Sequence, residues 1–251
     1  MCLIVFSYRQ NKDYPLIIAA NRDEFYKRKT KTLDLIEENP LVISGKDLES
    51  GGTWMGINRK TKKFAAVTNY RDPSKIMDDA KSRGIIVSSF LKKDEEPLSF
   101  LERLKKEKDI YNGFNFILGS TESLYHYSNI NDQITQITPG LHAVCNHLLN
   151  TPWPKVIRAK KISQKSFESE DIVESSLEML KDDKLYKDSE LPETGMGIEF
   201  ERLLSPIFVK SETYGTRSSS VILVDKNQNI RFKERAFLEK GLLKDTEFFI
   251  S

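Results

Sequence analysis

Short apolar runs separated by turn-forming residues dominate the first seventy positions of the chain. Residues 3–8 are apolar and rich in strand formers, a polar turn follows, and a second apolar run covers residues 16–20. Two runs separated by so few residues are typical of a β-hairpin. The stretches 53–58 and 64–70, joined by a polar turn, predict a second hairpin of the same kind.

The middle of the chain changes to the spacing of helices. Apolar residues recur three or four positions apart within 83–92 and again within 98–106, which predicts two helices. The remaining predicted elements are strands at 115–118, 123–127 and 133–137, helices at 154–166 and 172–180, a loop at 182–197, and a closing hairpin of strands at 219–225 and 230–235. Because the strands cluster at both ends and form hairpins, the pattern favours an α+β fold with antiparallel sheets, in one domain spanning residues 1–251.

Composition and charge exclude several classes of function and say less about the fold. The chain has 251 residues with 39 basic and 37 acidic side chains, and its net charge of +2 does not indicate a nucleic-acid partner. Its apolar runs are too short to span a membrane. Cys2 and Cys145 match neither a disulfide framework nor the spacing of a metal site. We therefore expect a cytoplasmic protein without a metal site.

Cys2 has two interpretations. If the initiator Met1 is removed, Cys2 carries both a thiol and a free α-amine, whose reference pKa of about 7.7–8.0 lets it act as a base near neutral pH. A nucleophile with its own base is the principle of N-terminal-nucleophile catalysis, and the apolar run after Cys2 provides the buried strand that such a residue needs. The alternative, which spacing alone favours, is a chance small residue after Met1.

Four consecutive polar residues, Asn21, Arg22, Asp23 and Glu24, follow the second predicted strand. Their ordinary explanation is a turn with a local arginine–carboxylate pair, because unpaired charges are costly to bury. The functional alternative places Asp23 beside the α-amine of Cys2 and lets Arg22 lower the pKa of the Cys2 thiol. A hairpin would return these residues to the start of the first strand, and composition alone leaves both explanations open.

Seven sequence blocks carry a resemblance to a known family. In chain order they are MCLIVF, AANRDEFY, GGTWMGI, AAVTNYRDP, YNGFN, NHLLNTPWPK and YGTRSSSVILVD. With these blocks the chain resembles the NRDE family, also called the Transport and Golgi organization 2 family. That family is similar in turn to N-terminal-nucleophile hydrolases of the choloylglycine hydrolase and penicillin V acylase kind. The resemblance implies a four-layer αββα sandwich in which two antiparallel sheets stack between helices.

The resemblance also implies positions for a catalytic site. Cys2 matches the nucleophile, Asp23 matches the carboxylate that holds the α-amine, and Asn69 matches an oxyanion-hole residue at a strand end. Asn146 matches a second active-site asparagine, and Arg217 matches a late arginine near the nucleophile. Asparagine side chains are suitable donors to a developing oxyanion, so this set is chemically sensible.

The chain departs from the hydrolases at one of their charged positions. Their early arginine lies three residues before the aspartate, where this chain has Ala20. Arg22 adjoins Asp23 instead, and adjacent residues on a strand point to opposite faces. The early cation is therefore missing or displaced, which weakens the case for hydrolysis.

Two functions from different classes follow. The resemblance implies a pocket for a hydrophobic or acyl small molecule, with roles in intracellular haem trafficking and in lipid or acyl-coenzyme A homeostasis. Haem or acyl-coenzyme A would then be a ligand, no cofactor is required, and the contacting residues would be Asn21, Arg22, Asp23, Glu24 and Arg217. The alternative is an amidohydrolase or thioesterase that uses Cys2. The displaced arginine favours the binding role.

Overall fold

Two antiparallel sheets and five α-helices make up residues 2–238 and 241–251, which the computed structural model describes. The strands are β1 (Cys2–Tyr8), β2 (Leu16–Phe25), β3 (Thr30–Ile36), β4 (Asn39–Asp47), β5 (Met55–Asn58), β6 (Phe64–Asn69), β7 (Phe114–Gly119), β8 (Leu124–Ser128), β9 (Gln133–Gln136), β10 (Gly140–Val144), β11 (Tyr214–Val224), β12 (Ile230–Phe237) and β13 (Leu243–Ile250). The helices are α1 (Gly84–Leu91), α2 (Pro97–Lys106), α3 (Pro154–Phe167), α4 (Ile172–Met179) and α5 (Ile198–Leu203).

Hairpins organise both sheets. One sheet has six strands in the order β10-β1-β2-β11-β12-β13, and the other has seven in the order β3-β4-β5-β6-β7-β8-β9. The predicted hairpins are present as β1 with β2, β5 with β6, and β11 with β12, each antiparallel. The α+β class with two antiparallel sheets is therefore confirmed.

Three apolar clusters show how the layers stack. Side chains from alternate positions of β1 and β2, such as Phe6, meet side chains of the other sheet, such as Phe64, in a core between the two sheets. The opposite face of β1, including Val5, packs against Leu177 and its neighbours on α3 and α4. On the far side, α1 and α2 cover β6, β7 and β8. The order of layers is thus helices, sheet, sheet, helices.

The second strand is longer than the sequence pattern predicts. Residues 21–24 do not form a turn after the strand but continue β2 as far as Phe25. Their backbone groups find partners because β11 runs antiparallel to β2 from Leu16 to Phe25, with one irregularity between Thr216 and Ser218. Backbone pairing with β11 lets β2 continue through these polar residues, although the apolar periodicity ends before them.

The other elements that the sequence pattern missed lie in mostly polar segments. The pattern missed β3 and β4, whose residues are largely half-buried, and it also missed β10, α5 and β13. The four predicted helices agree with α1 to α4 to within one residue at each end. Among the helices of the described chain, none has both the length and the apolar character to cross a membrane.

Candidate functional site

A polar cavity of about 280 Å³ lies where three strands from the two sheets begin or end. Cys2 begins β1, Asp23 lies near the end of β2, and Asn69 ends β6, and all three line the cavity. Five basic and three acidic residues contribute to its wall, namely Arg22, Arg28, Lys46, Lys81, Arg83, Asp23, Glu24 and Asp47. The hairpin of β1 and β2 and the end of β6 therefore bring distant parts of the sequence together.

Cys2 lies directly opposite Arg22 in the β1–β2 ladder, so their side chains share the face between the sheets. Cys2 is 9% exposed. Burial raises its pKa, while the charge of Arg22 and a hydrogen bond from the backbone N–H of Asp23 act in the opposite direction. Burial therefore favours the neutral thiol over the thiolate. Met1, whose removal the nucleophile hypothesis requires, lies outside the described residues.

Arg22 and Asp23 leave β2 on opposite faces. Arg22 follows the alternation of Ile18 and Ala20 into the space between the sheets, where it is 6% exposed and its Nη1 has no hydrogen-bond partner within the described chain. Asp23 faces the α3–α4 side and accepts a hydrogen bond from the Thr216 hydroxyl at 2.8 Å. Burial raises the pKa of Asp23, and the hydrogen bond opposes that shift.

Asn146 holds the two sheets together beside the cavity. It is fully buried, and its Nδ2 donates to the backbone oxygen of Asn69 at 3.1 Å. Its Oδ1 lies 3.1 Å from the Cys145 thiol, and its backbone oxygen accepts from the N–H of Arg71. Within the described chain, Asn146 is not one of the residues that line the cavity. It therefore fixes the position of Asn69, which does.

Two further predicted residues serve the surrounding structure. Arg217 donates from Nη1 to the backbone oxygens of Phe25, Tyr26 and Arg28 and so supports the turn between β2 and β3. Asn21 is fully buried, and its Nδ2 donates to two backbone oxygens of the segments beside α4 and α5, those of residues 180 and 207. In the described chain, neither side chain belongs to the wall of the polar cavity.

A larger apolar cavity of about 480 Å³ adjoins the polar one. Phe25, Ile76, Ile130, Phe200 and Leu203 are among its lining residues. Four residues line both cavities, namely Glu24, Asn69, Arg83 and Asn112. The two spaces therefore share a wall, with polar side chains at the junction and apolar ones beyond it.

Arg83 is the charged residue at this junction that the sequence pattern did not single out. It precedes α1, and its position depends on a close approach of two backbones. A Cβ added to Gly52 would lie 2.5 Å from the carbonyl carbon of Gly84, so Gly52 has to lack a side chain. The sequence shows a glycine pair at 51–52, but no local pattern indicates which segment of the chain would contact it.

The described residues do not form a metal site. No group of three or more His, Cys, Asp or Glu side chains in residues 2–238 and 241–251 is arranged to hold a metal ion. His142 stacks on Phe6 with ring centroids 5.3 Å apart, and His147 contacts Tyr70 and Thr151 through its two ring nitrogens. These contacts with neighbouring side chains give both histidines a structural role.

Comparison with known proteins gives one consistent result. The sequence profile of the family described as Transport and Golgi organisation 2 matches residues 1–239. The mouse protein named Transport and Golgi organization 2 homolog is 34% identical, with 96% of this chain and 94% of the mouse protein covered. The human homolog is also 34% identical, covering 96% and 95%. The Drosophila melanogaster protein named Transport and Golgi organization protein 2 is 31% identical, covering 93% and 91%.

Proposed function

The chain belongs to the Transport and Golgi organisation 2 family, and we propose that it binds an amphipathic small molecule across the two joined cavities. The observation that carries this proposal is the shared wall formed by Glu24, Asn69, Arg83 and Asn112. An apolar group would fill the larger cavity, where its burial contributes roughly 25 cal/mol per Å². The polar group of the same molecule would lie in the smaller cavity, where charged side chains can bind it.

The charge of the polar cavity favours an anionic group. Its wall has five basic and three acidic side chains, and one of the basic residues, Arg22, is buried with an unpartnered Nη1. Arginine binds carboxylates and phosphates through paired N–H groups. Acyl-coenzyme A and haem both combine an apolar body with anionic groups, so we propose them as candidate ligands of a cytoplasmic carrier that acts in lipid homeostasis or haem trafficking.

Equilibrium titration tests this function. Purified protein is titrated with palmitoyl-coenzyme A and with haem, and free coenzyme A serves as the matched control without an apolar group. We expect saturable binding of at least one amphipathic ligand and much weaker binding of free coenzyme A, because only the former fills both cavities. Equal affinity for palmitoyl-coenzyme A and free coenzyme A, or no saturable binding of any of them, would contradict the proposal.

A second candidate is hydrolysis of an amide or thioester at Cys2, on a fold similar to the N-terminal-nucleophile hydrolases. It is supported by the position of Cys2 at the start of a buried strand, with Asp23 and Asn69 in the same cavity. The neutral thiol weighs against it, unless the α-amine of a processed Cys2 takes the thiol proton.

Intact-mass spectrometry separates the two candidates. The protein is incubated with palmitoyl-coenzyme A, and both the mass of the protein and the release of free coenzyme A are followed. A carrier keeps its mass and releases no product over hours. Addition of one palmitoyl group at Cys2 followed by turnover would establish hydrolysis instead.

A further inference from the structure

We propose that Arg83 is the specificity-determining residue of the joined cavities: it binds the acidic group of the ligand at their junction and so selects anionic amphiphiles over neutral or cationic ones. This inference rests on the proposed binding function and goes further by naming the residue that distinguishes ligands by their charge. Three observations support it: the position of Arg83 at the boundary of the two cavities, the absence of an ion pair to Arg83 in the described chain, and the close packing of its backbone.

Arg83 lies at the boundary between the polar and the apolar space. It lines both cavities, whereas Arg22 and Arg28 line only the polar one. A guanidinium at this boundary can meet an acidic group whose apolar chain continues into the larger cavity. Its planar set of N–H donors matches a carboxylate or a phosphate.

The charge of Arg83 has no carboxylate partner in the described chain. Its Nη1 donates to the backbone oxygen of Gly113 at 3.0 Å, which is a neutral acceptor. Arg28 provides the contrast, because it is paired with Asp47 at 2.7 Å and with Glu24 at 3.9 Å. Asp47 is hydrogen-bonded to Arg28, and Glu24, which lines both cavities with Arg83, is ion-paired with Arg28, whereas Arg83 has no ion pair in the described chain.

The surroundings of Arg83 make an anion favourable there. Burial lowers the pKa of its guanidinium, the charges of Cys2 and Glu24 oppose that shift, and the charge of Arg28 adds to it. Arginine nevertheless keeps its proton in proteins, so the charge stays and remains poorly solvated. Arg83 is half-buried, and Arg22, which is buried, adds a second cation to the wall of the polar cavity. An acidic ligand group would offset both charges.

The backbone that carries Arg83 is closely packed. A Cβ on Gly52 would meet backbone atoms of Gly84 and Ile85 at 2.5–2.8 Å, and the N–H of Thr53 donates to the oxygen of Gly84 at 3.2 Å. The segments around residues 52 and 84 thus support each other next to the cavity. A residue held in this way is organised before the ligand binds, which favours selectivity.

The test uses three ligands with the same ten-carbon chain and different charge: decanoate, decanol and decyltrimethylammonium. Their affinities for wild type, Arg83→Gln and Arg83→Lys are measured by isothermal titration calorimetry at low salt. Arg59→Gln is the matched control, because Arg59 is an exposed arginine that lines neither cavity. Decanol also reports whether each variant still forms the apolar cavity.

We expect wild type to bind decanoate about ten- to a hundredfold more tightly than decanol, and decyltrimethylammonium most weakly. Arg83→Gln should remove most of the preference for decanoate and leave decanol affinity unchanged. Arg83→Lys should keep more of the preference, and Arg59→Gln should keep it in full. Equal affinity of wild type for decanoate and decanol, or an unchanged preference in Arg83→Gln, overturns the role of Arg83 and leaves the proposed function standing. Failure of wild type to bind any of the three overturns both.

Discussion

Arg71 and Arg22 are both buried beside the joined cavities, and they differ in what neutralises their charge. Arg71 forms an ion pair with Glu201 of α5, and each of the two side chains is 4% exposed. Its guanidinium also lies over the ring of Trp153, 4.9 Å from the centroid. Although both arginines have N–H groups without a hydrogen-bond partner in the described chain, only Arg71 has an ion-paired carboxylate there.

Because only Arg71 has an ion-paired carboxylate, we propose that the region around Arg71 supports the site and that the region around Arg22 binds the ligand. The ion pair attaches α5 to the segment after β6, and Phe200 and Leu203 of α5 form part of the apolar wall. The protein itself supplies the anion for Arg71. Arg22 interacts with the charge of the buried Glu234 but has no ion pair in the described chain, and we propose that the bound molecule supplies its anion. Substitutions in the two regions should therefore affect different measurements.

The largest effect is expected on stability, from Glu201→Ala. This variant leaves Arg71 buried without its carboxylate, and removing one partner of a buried ion pair typically costs about 3–5 kcal/mol. Urea denaturation measures the loss of unfolding free energy. The control is Glu199→Ala on the same helix, where an exposed pair with Arg202 should contribute less than about 1 kcal/mol. Similar small losses in both variants would show that the Arg71–Glu201 pair does not support the fold.

The second prediction concerns another buried polar group of the supporting region, His126 on β8. Its Nε2 lies 3.1 Å from Oδ1 of Asn115, and burial lowers its pKa to about 4. Since the unfolded chain binds this proton near pH 6.5, the native state should lose stability as the pH falls from 6.5 to 4, by about 3 kcal/mol at most.

The measurement is the unfolding free energy of wild type and His126→Gln at several pH values across that range. The other partly buried histidines, His142 and His147, are present in both proteins, so the difference between the two curves isolates His126. The difference should change with pH only between about 6.5 and 4. Parallel curves would mean that His126 takes up its proton equally well in the folded protein.

Much of this supporting region could be predicted from the sequence, and less of the site could. The hairpins and helices α1 to α4 follow from apolar periodicity, because each has one face in a core. The second half of β2 was not predicted, because the polar side chains of residues 21–24 break the apolar periodicity. Their backbone is nevertheless paired with β11. Local patterns do not report a partner strand that lies almost two hundred residues away in the chain.

The residues of the site, likewise, could be predicted only in part. The family resemblance indicated Cys2, Asp23 and Asn69, and the structure brings these three into one cavity. Arg83 was missed, because its approach to the site depends on a contact between Gly52 and Gly84 that no local pattern contains. An arginine just before a helix is ordinary in sequence, and only the packing of the two loops places it beside Cys2.

The third prediction addresses Arg22 directly. Arg22→Met places an unbranched apolar side chain between the sheets and removes a guanidinium whose Nη1 has no hydrogen-bond partner in the described chain. We expect the affinity for decanoate to fall about tenfold, as for the loss of one charge-assisted hydrogen bond, with a change in stability below about 1 kcal/mol. Calorimetric titration and urea denaturation of the same sample measure both. A large loss of stability with unchanged affinity would place Arg22 with Arg71 among the supporting residues.

The smallest effect on binding is expected from Cys2→Ser, and it decides between the carrier and the hydrolase. The substitution keeps the size of the side chain at the start of β1 and removes a thiol whose pKa burial raises. A carrier should bind palmitoyl-coenzyme A within about twofold of wild-type affinity, because a neutral thiol contributes little to holding an anionic ligand. Cys145→Ser is the matched control, since Cys145 is also buried and lies outside the lining of both cavities. If wild type and Cys145→Ser release free coenzyme A from palmitoyl-coenzyme A and Cys2→Ser binds it without releasing any, Cys2 is a nucleophile and the cavities are an active site.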